Sequence, residues 1–140
     1  MPESKTYNPD QVSVIVGGRV LSGFANGTFI TAERDSDNFS DAAGINIVSR
    51  SKITDKRGNI TMVFQQTAPD VAYLSDLSKQ DELDSGGIVS VLIRDASGNS
   101  LVEAAEAWLQ KPTVVTYADE LTNREYVLRC AELIINDRGN

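Results

Sequence analysis

Apolar and polar residues alternate with a period of two along most of this chain, the spacing of half-buried β-strands, and shift to helical spacing in one segment. Val12, Val14 and Val16 alternate with Ser13 and Ile15. Gly17-Gly18 interrupts the run, Arg19 to Leu21 resumes it, and Asn26-Gly27 turns the chain into Thr28 to Arg34. Paired glycines and Asn-Gly supply the positive φ angles of tight turns, so the chain is expected to open as a β-meander. Farther on, Ile45, Ile47, Ser49, Ser51 and Ile53 alternate with Asn46, Val48, Arg50, Lys52 and Thr54. The turn-like DKRGN at 55–59 follows, and Ile60, Met62 and Phe64 then alternate with Thr61, Val63 and Gln65. A hairpin between 45–54 and 60–65 is the expectation.

Ala68-Pro69-Asp70 ends the alternation, and Val71, Leu74 and Leu77 recur at helical spacing with Asp70, Asp76, Lys79 and Asp81 on the other side. This predicts a helix to about Glu82 capped by Thr67 or Asp70. Strand spacing resumes over Ile88 to Asp95, and 96–99 reads as a turn. The segment 101–110, LVEAAEAWLQ, has helix-forming composition. Its place between a hairpin turn and Lys111-Pro112 favours a strand paired with 88–95. Thr113 to Tyr117 reads as a short strand, 118–123 as a polar turn and Glu125 to Ile135 as the last strand, with Tyr126, Leu128 and Cys130 on one face.

Two stretches escape both periods. Residues 1–11 hold two prolines and two acids and read as an arm that needs a partner to order it. Residues 35–44, DSDNFSDAAG, set Asp35, Asp37 and Asp41 around Phe39. A loop of that length in a compact β-domain usually has a function, and this one is read as a contact loop.

A length of 140 residues suits one core, so the arm at 1–11 is followed by a single β-domain at 12–140. No apolar run approaches the roughly 20 residues of a membrane span, and MPESKTYNPD lacks the apolar stretch of a secretory signal. The net charge of −7 argues against a conventional grip on nucleic acid without excluding one that slides past.

Chemistry is removed by composition. The chain has no histidine and one cysteine, which excludes a Ser-His-Asp triad, an imidazole metal site, a thiolate zinc site and an internal disulfide. Asp35-x-Asp37 with Asp41 begins like a calcium loop, but Phe39 stands at a ligand position, Ser40 at the glycine and Asn46 at the bidentate glutamate. Ser49-x-x-Lys52 falls in a predicted strand, where residues three apart face opposite sides. Glu103 and Glu106 are split by the same argument, and no aromatic platform accompanies them. No cofactor, metal or enzymatic activity is expected. Trp108 and Cys130 are read as core or interface residues.

The segments GFANGTFITAERDSDNF, GNITMVFQQTAPDV leading into the helix, and AEAWLQKP followed by LRCAEL resemble the tail-tube proteins of contractile-tailed bacteriophages. The Hcp tube of type VI secretion is a more distant likeness. The resemblance spans nearly the whole chain and implies a mainly β fold, an antiparallel β-sandwich or barrel with one flanking α-helix. It further implies six copies closing into a ring, rings stacking into the inner tube of a contractile tail, and viral DNA passing through without specific binding. The implied partners are further copies of the chain, the sheath, the baseplate and a tail terminator. The implied location is the virion, assembled in the bacterial cytoplasm.

Under that resemblance Asp35, Asp37, Phe39 and Asp41 are expected to touch a neighbouring subunit. Glu33, Glu103 and Glu106 interrupt strands suited to burial and are expected to face the lumen, where negative charge repels the DNA backbone. The competing expectation is a monomeric β-sandwich binding module for a sugar or peptide. The aromatic content of 6% leaves a sugar face little to stack on.

Overall fold

The computed structural model describes residues 4–96 and 98–139. Among the described residues, a 3-10 turn at Pro9–Gln11 precedes ten strands and one helix. These are β1 Val12–Val16, β2 Arg19–Val20, β3 Ile30–Arg34, β4 Phe39–Gly44, β5 Ile47–Lys52, β6 Gly58–Gln65, α1 Asp70–Asp84, β7 Val89–Asp95, β8 Leu101–Leu109, β9 Asn123–Cys130 and β10 Ile134–Asn136. The main sheet runs β2-β1-β7-β8-β9-β6-β3 with every neighbouring pair antiparallel. β8 is long enough to hold β9 along 107–109 and β10 along 101–103. β4 and β5 form a separate two-stranded sheet.

Residues 21–25 join the two flanks of the main sheet. Leu21 N–H donates to Val14 O at 2.8 Å, and Ala25 N–H donates to Val63 O at 3.0 Å. Phe24 bridges to Phe64, and Gln65 N–H reaches Gly23 O at 2.9 Å. Strands β1, β7, β8, β9 and β6 are thereby closed into a barrel by this crossing segment, which leaves fewer backbone groups on open edges. The expected mainly β antiparallel fold with one flanking helix is what forms.

The period of two places one side chain in every pair inside. Val14, Val16, Ile60, Met62, Phe64, Val91, Ile93, Tyr126, Leu128 and Cys130 make up most of the core. Phe24 stacks on Phe64 at a centroid distance of 4.7 Å, and Phe64 meets Tyr126 edge to face at 6.0 Å. α1 lies over the barrel between β1 and β9. It buries Leu74, donates from Tyr73 Oη to Val16 O at 3.0 Å and accepts from Tyr126 Oη at Val71 O at 3.2 Å. Gly17 and Gly18, both at positive φ, turn β1 into β2, and a Cβ on Gly17 would stand 2.7 Å from Tyr73 Oη.

Burial pushes the Cys130 thiol up to about 11, against a smaller lowering by Arg129. A thiol raised in the folded state stabilises the fold fully below its unfolded value near 9, and that contribution is lost as pH rises toward about 11. Folded protein is therefore expected to resist a thiol-labelling reagent at pH 8 and to react stoichiometrically once urea unfolds it. Rapid labelling without denaturant would contradict the burial.

Several expectations are corrected. Only β1 and β2 of the proposed meander pair with each other; β3 lies on the far flank against β6. The segment 45–54 does not pair with 60–65, because β5 pairs with β4 while β6 lies between β3 and β9. Thr113 to Tyr117 forms no strand, since Pro112 has no N–H to continue the ladder, and Thr113 holds to β9 through its side chain, Oγ1 donating to Glu125 O at 2.7 Å. The last strand divides at Ala131-Glu132 into β9 and β10.

Asp70 neither caps α1 through its side chain nor faces solvent. Pro69 is the N-cap, and Asp70 is 2% exposed. Its carboxylate accepts from Arg19 Nε at 2.7 Å, Ser22 N–H at 2.6 Å and Ser22 Oγ at 3.2 Å. The expected helix and the pairing of 88–95 with 101–110 do form. Part of the 96–99 turn falls on Ser97, and part of the arm on residues 1–3, outside the described residues.

Candidate assembly surfaces

The stretch read as a patternless contact loop is half of a projecting hairpin. Residues 35–38 leave β3, and β4 then pairs with β5 from Phe39↔Lys52 to Gly44↔Ile47. Six residues a side span about 20 Å at roughly 3.3 Å each. Every residue of both strands is exposed, which is why neither shows a clean apolar face. Ile45 and Asn46 form the tip, with Asn46 at φ 63°, a conformation Asn tolerates. Ile45 is 93% exposed, Ile47 64% and Val48 70%. A lone two-stranded hairpin is marginal in water, and this one holds its branched aliphatic side chains away from its own core.

The stem is tied down. Ile53 N–H donates to Asn38 O at 2.9 Å, and Arg34 Nε donates to Leu133 O at 2.7 Å. Asp35 forms an ion pair with Arg129, whose Nη1 also donates to Asn59 Oδ1 at 3.2 Å. Asp35 thus anchors the hairpin to β9 within its own subunit. Beyond the hairpin, a hydrogen bond from the Arg57 guanidinium holds the Asp55 carboxyl down at about 2.

Asp37 and Asp41 are exposed, and Asp41 stands opposite Arg50. Arg50 lies 4.0 Å over the Phe39 ring, so Phe39 is engaged by its own hairpin and less exposed than the tip. Phe39, Asp41, Ala43, Val48, Arg50 and Lys52 share one face by alternation. The other is a smooth face of Ser40, Ala42, Gly44, Ser49 and Ser51 with Ile47. Ile45, Ile47 and Val48 were missed as site residues because a strand pattern normally signals burial. The cue was Gly44 and Asn46, two turn formers two positions apart.

Glu33, Glu103 and Glu106 all lie on the side of the barrel wall turned from the core. Glu33 is exposed beside Asn59, Glu103 is half-buried between Leu92 and Ile134, and Glu106 is exposed. The expectation that Glu103 and Glu106 face opposite sides is wrong. β8 bulges between Ala104 and Ala107, both of which stay buried, and the extra residue resets the alternation. Arg94 and Arg129 share this wall, so it is mixed in charge.

Two adjoining clefts lie where the arm meets the barrel. One, of about 450 Å³, is lined by residues including Asp10, Val12, Phe24 and Phe29; the other, of about 350 Å³, by residues including Tyr7, Ile30 and Asp95. A third cavity of about 570 Å³ lies under residues 110–114 against Glu125 and Val127 and has no aromatic lining. Among the described residues no cluster of three metal-ligating side chains occurs, and no helix is long and apolar enough to cross a membrane.

No family model matches the chain. It is 23% identical over 146 residues to Structural protein ORF10 of Pseudomonas phage KPP10, covering 98% of this chain and 84% of that one. Among solved structures it superposes on a chain of the sheath/tube terminator of an extracellular contractile injection system, PVC, in the extended state. There the TM-score is 0.63 and the identity 12%, over 96% of this chain and 99% of the other. A chain of the PVC sheath-tube complex in the extended state gives a TM-score of 0.61 and 14% identity, over 94% and 91%. The fold is that of the tail-tube proteins. The resemblance seen in the sequence segments therefore holds at the level of the whole barrel, and the similar proteins are structural components rather than enzymes. The β4–β5 hairpin is among the apolar surfaces left exposed, together with Val114, Val115, Tyr117 and Leu121 after β8.

Proposed function

We propose that this chain is a structural subunit of a phage-type contractile tail, closing with further copies into rings, hexameric on the resemblance, that stack as the inner tube around a DNA channel. The observation that carries this reading is the projecting β4–β5 hairpin, whose apolar tip has no cover in its own subunit. Such a surface on a tail-tube fold calls for a partner, and a head-to-tail contact between copies propagates a stack. Asp37, Phe39 and Asp41 accompany the tip as contact residues. Glu33, Glu103 and Glu106 face the lumen, where Glu33 and Glu106 present their charge to passing DNA. Sheath, baseplate and terminator are the remaining partners, and the virion tail is the location.

A second reading is a tube terminator, a ring that ends the stack, favoured by the superposition on a terminator chain. Size-exclusion chromatography and negative-stain microscopy over a concentration series test both. Filaments of stacked rings are expected for the tube subunit, single rings identify the terminator, and a strict monomer at the highest concentration removes both readings.

A further inference from the structure

The hairpin tip requires an acceptor, and two apolar clefts compete for it. The cavity beneath residues 110–114 brings both Lys111 and Glu125 to its lining. The adjoining clefts at the arm bring Asp10 and Asp95 and no basic side chain, around an apolar floor that includes Val12, Phe24, Phe29 and Ile30. The hairpin has the complementary character. Its strands carry one acid, Asp41, and two bases, Arg50 and Lys52, on a chain whose net charge is −7. Val48 and Arg50 share a face about 7 Å apart, as next-but-one neighbours on a strand do. Val12 and Asp10 line one cleft together.

Building on the tube reading, we infer that the β4–β5 hairpin of one copy seats tip-first in the arm clefts of a second copy, with Ile45, Ile47 and Val48 between the apolar cleft walls and Arg50 against Asp10. Donor and acceptor are different places on one subunit, because β3 runs from the cleft-lining Ile30 to the hairpin stem. The contact is therefore heterologous, the kind that repeats along an axial stack when its rotation does not close a ring. The cleft volumes fall within the roughly 300–1,000 Å³ of pockets that bury drug-sized ligands, room enough for a hairpin tip's side chains. The arm then gains a role in forming one wall of the acceptor.

A charge exchange between the two sites tests this. Arg50→Glu and Asp10→Arg are each expected to raise the concentration needed for filament growth by about tenfold or more, since each sets like charges face to face. The double variant is expected to recover growth to within about threefold of the unmodified chain, because the pair is restored with its sign reversed. Both positions are exposed, and neither contributes to the core, so circular dichroism should stay unchanged. A double variant no better than Arg50→Glu alone, or an Asp10→Arg variant that grows normally, overturns the arm cleft as acceptor while leaving the tube reading intact. An unmodified chain that never assembles overturns both.

Discussion

Replacing Ile45 and Ile47 together by Asp is expected to leave a folded monomer and abolish stacking. Neither side chain belongs to the core, and both are more than half exposed, so the melting temperature should move by no more than a degree or two. Each isoleucine fully buried on assembly is worth roughly 1.5–3 kcal/mol, and the Asp substitutions add the cost of desolvating two carboxylates. Repeated around a ring, losses of that size take filament growth below detection at micromolar concentrations. Sedimentation velocity and electron microscopy give the readout, with circular dichroism as the control for folding. Filaments of normal length would remove the hairpin from the assembly contact. Phe39→Ala is expected to have a smaller effect than the tip variant, because its ring is already covered in part by Arg50.

The second large effect concerns the fold. Asp70→Ala is expected to destabilise the subunit by about 2–3 kcal/mol, the value of hydrogen bonds made by a charged group, and to lower the melting temperature by roughly 10 °C. The carboxylate joins the start of α1 to the β2 hairpin through Arg19 and to the crossing segment through Ser22. Its loss leaves the Ser22 N–H without that acceptor. Arg19 limits the damage, because its side chain is 51% exposed and returns to water readily. Arg19→Ala should accordingly cost less than Asp70→Ala. A loss below about 0.5 kcal/mol for Asp70→Ala, measured by urea denaturation, would show that the buried pair adds nothing beyond what solvation returns.

Much of the barrel was legible because alternation reports burial directly. Ile60, Met62 and Phe64 on β6, and Tyr126, Leu128 and Cys130 on β9, were picked out as faces and all six are buried. The helix was legible for the same reason at its own period, and the 101–110 segment was assigned as a strand by its flanking turns against its composition. The site was less legible. The hairpin's first strand, Phe39–Gly44, carries no apolar face, and its second, Ile47–Lys52, alternates like a strand of the barrel although all of its residues are exposed. The acids at 35–41 read as a contact loop in sequence, yet Asp35 pairs with Arg129, a residue 94 positions away.

The sequence by itself determined the barrel strands that bury one face, the helix, much of the core and the chemistries its composition excludes. Those properties depend on neighbours within a few residues, or on composition, and a period of two or 3.6 carries them. Only the tertiary structure decided that β5 pairs with β4, that β3 sits beside β6, that residues 21–25 close the barrel, and that a bulge brings Glu103 and Glu106 to one wall. Alternation says which face of a strand is buried but not which strand lies alongside it. Pairing is set by contacts between distant residues competing for the same edges. The hairpin with its apolar tip follows from that competition, because β6 has β3 and β9 on its two sides and leaves β4 and β5 to pair with each other.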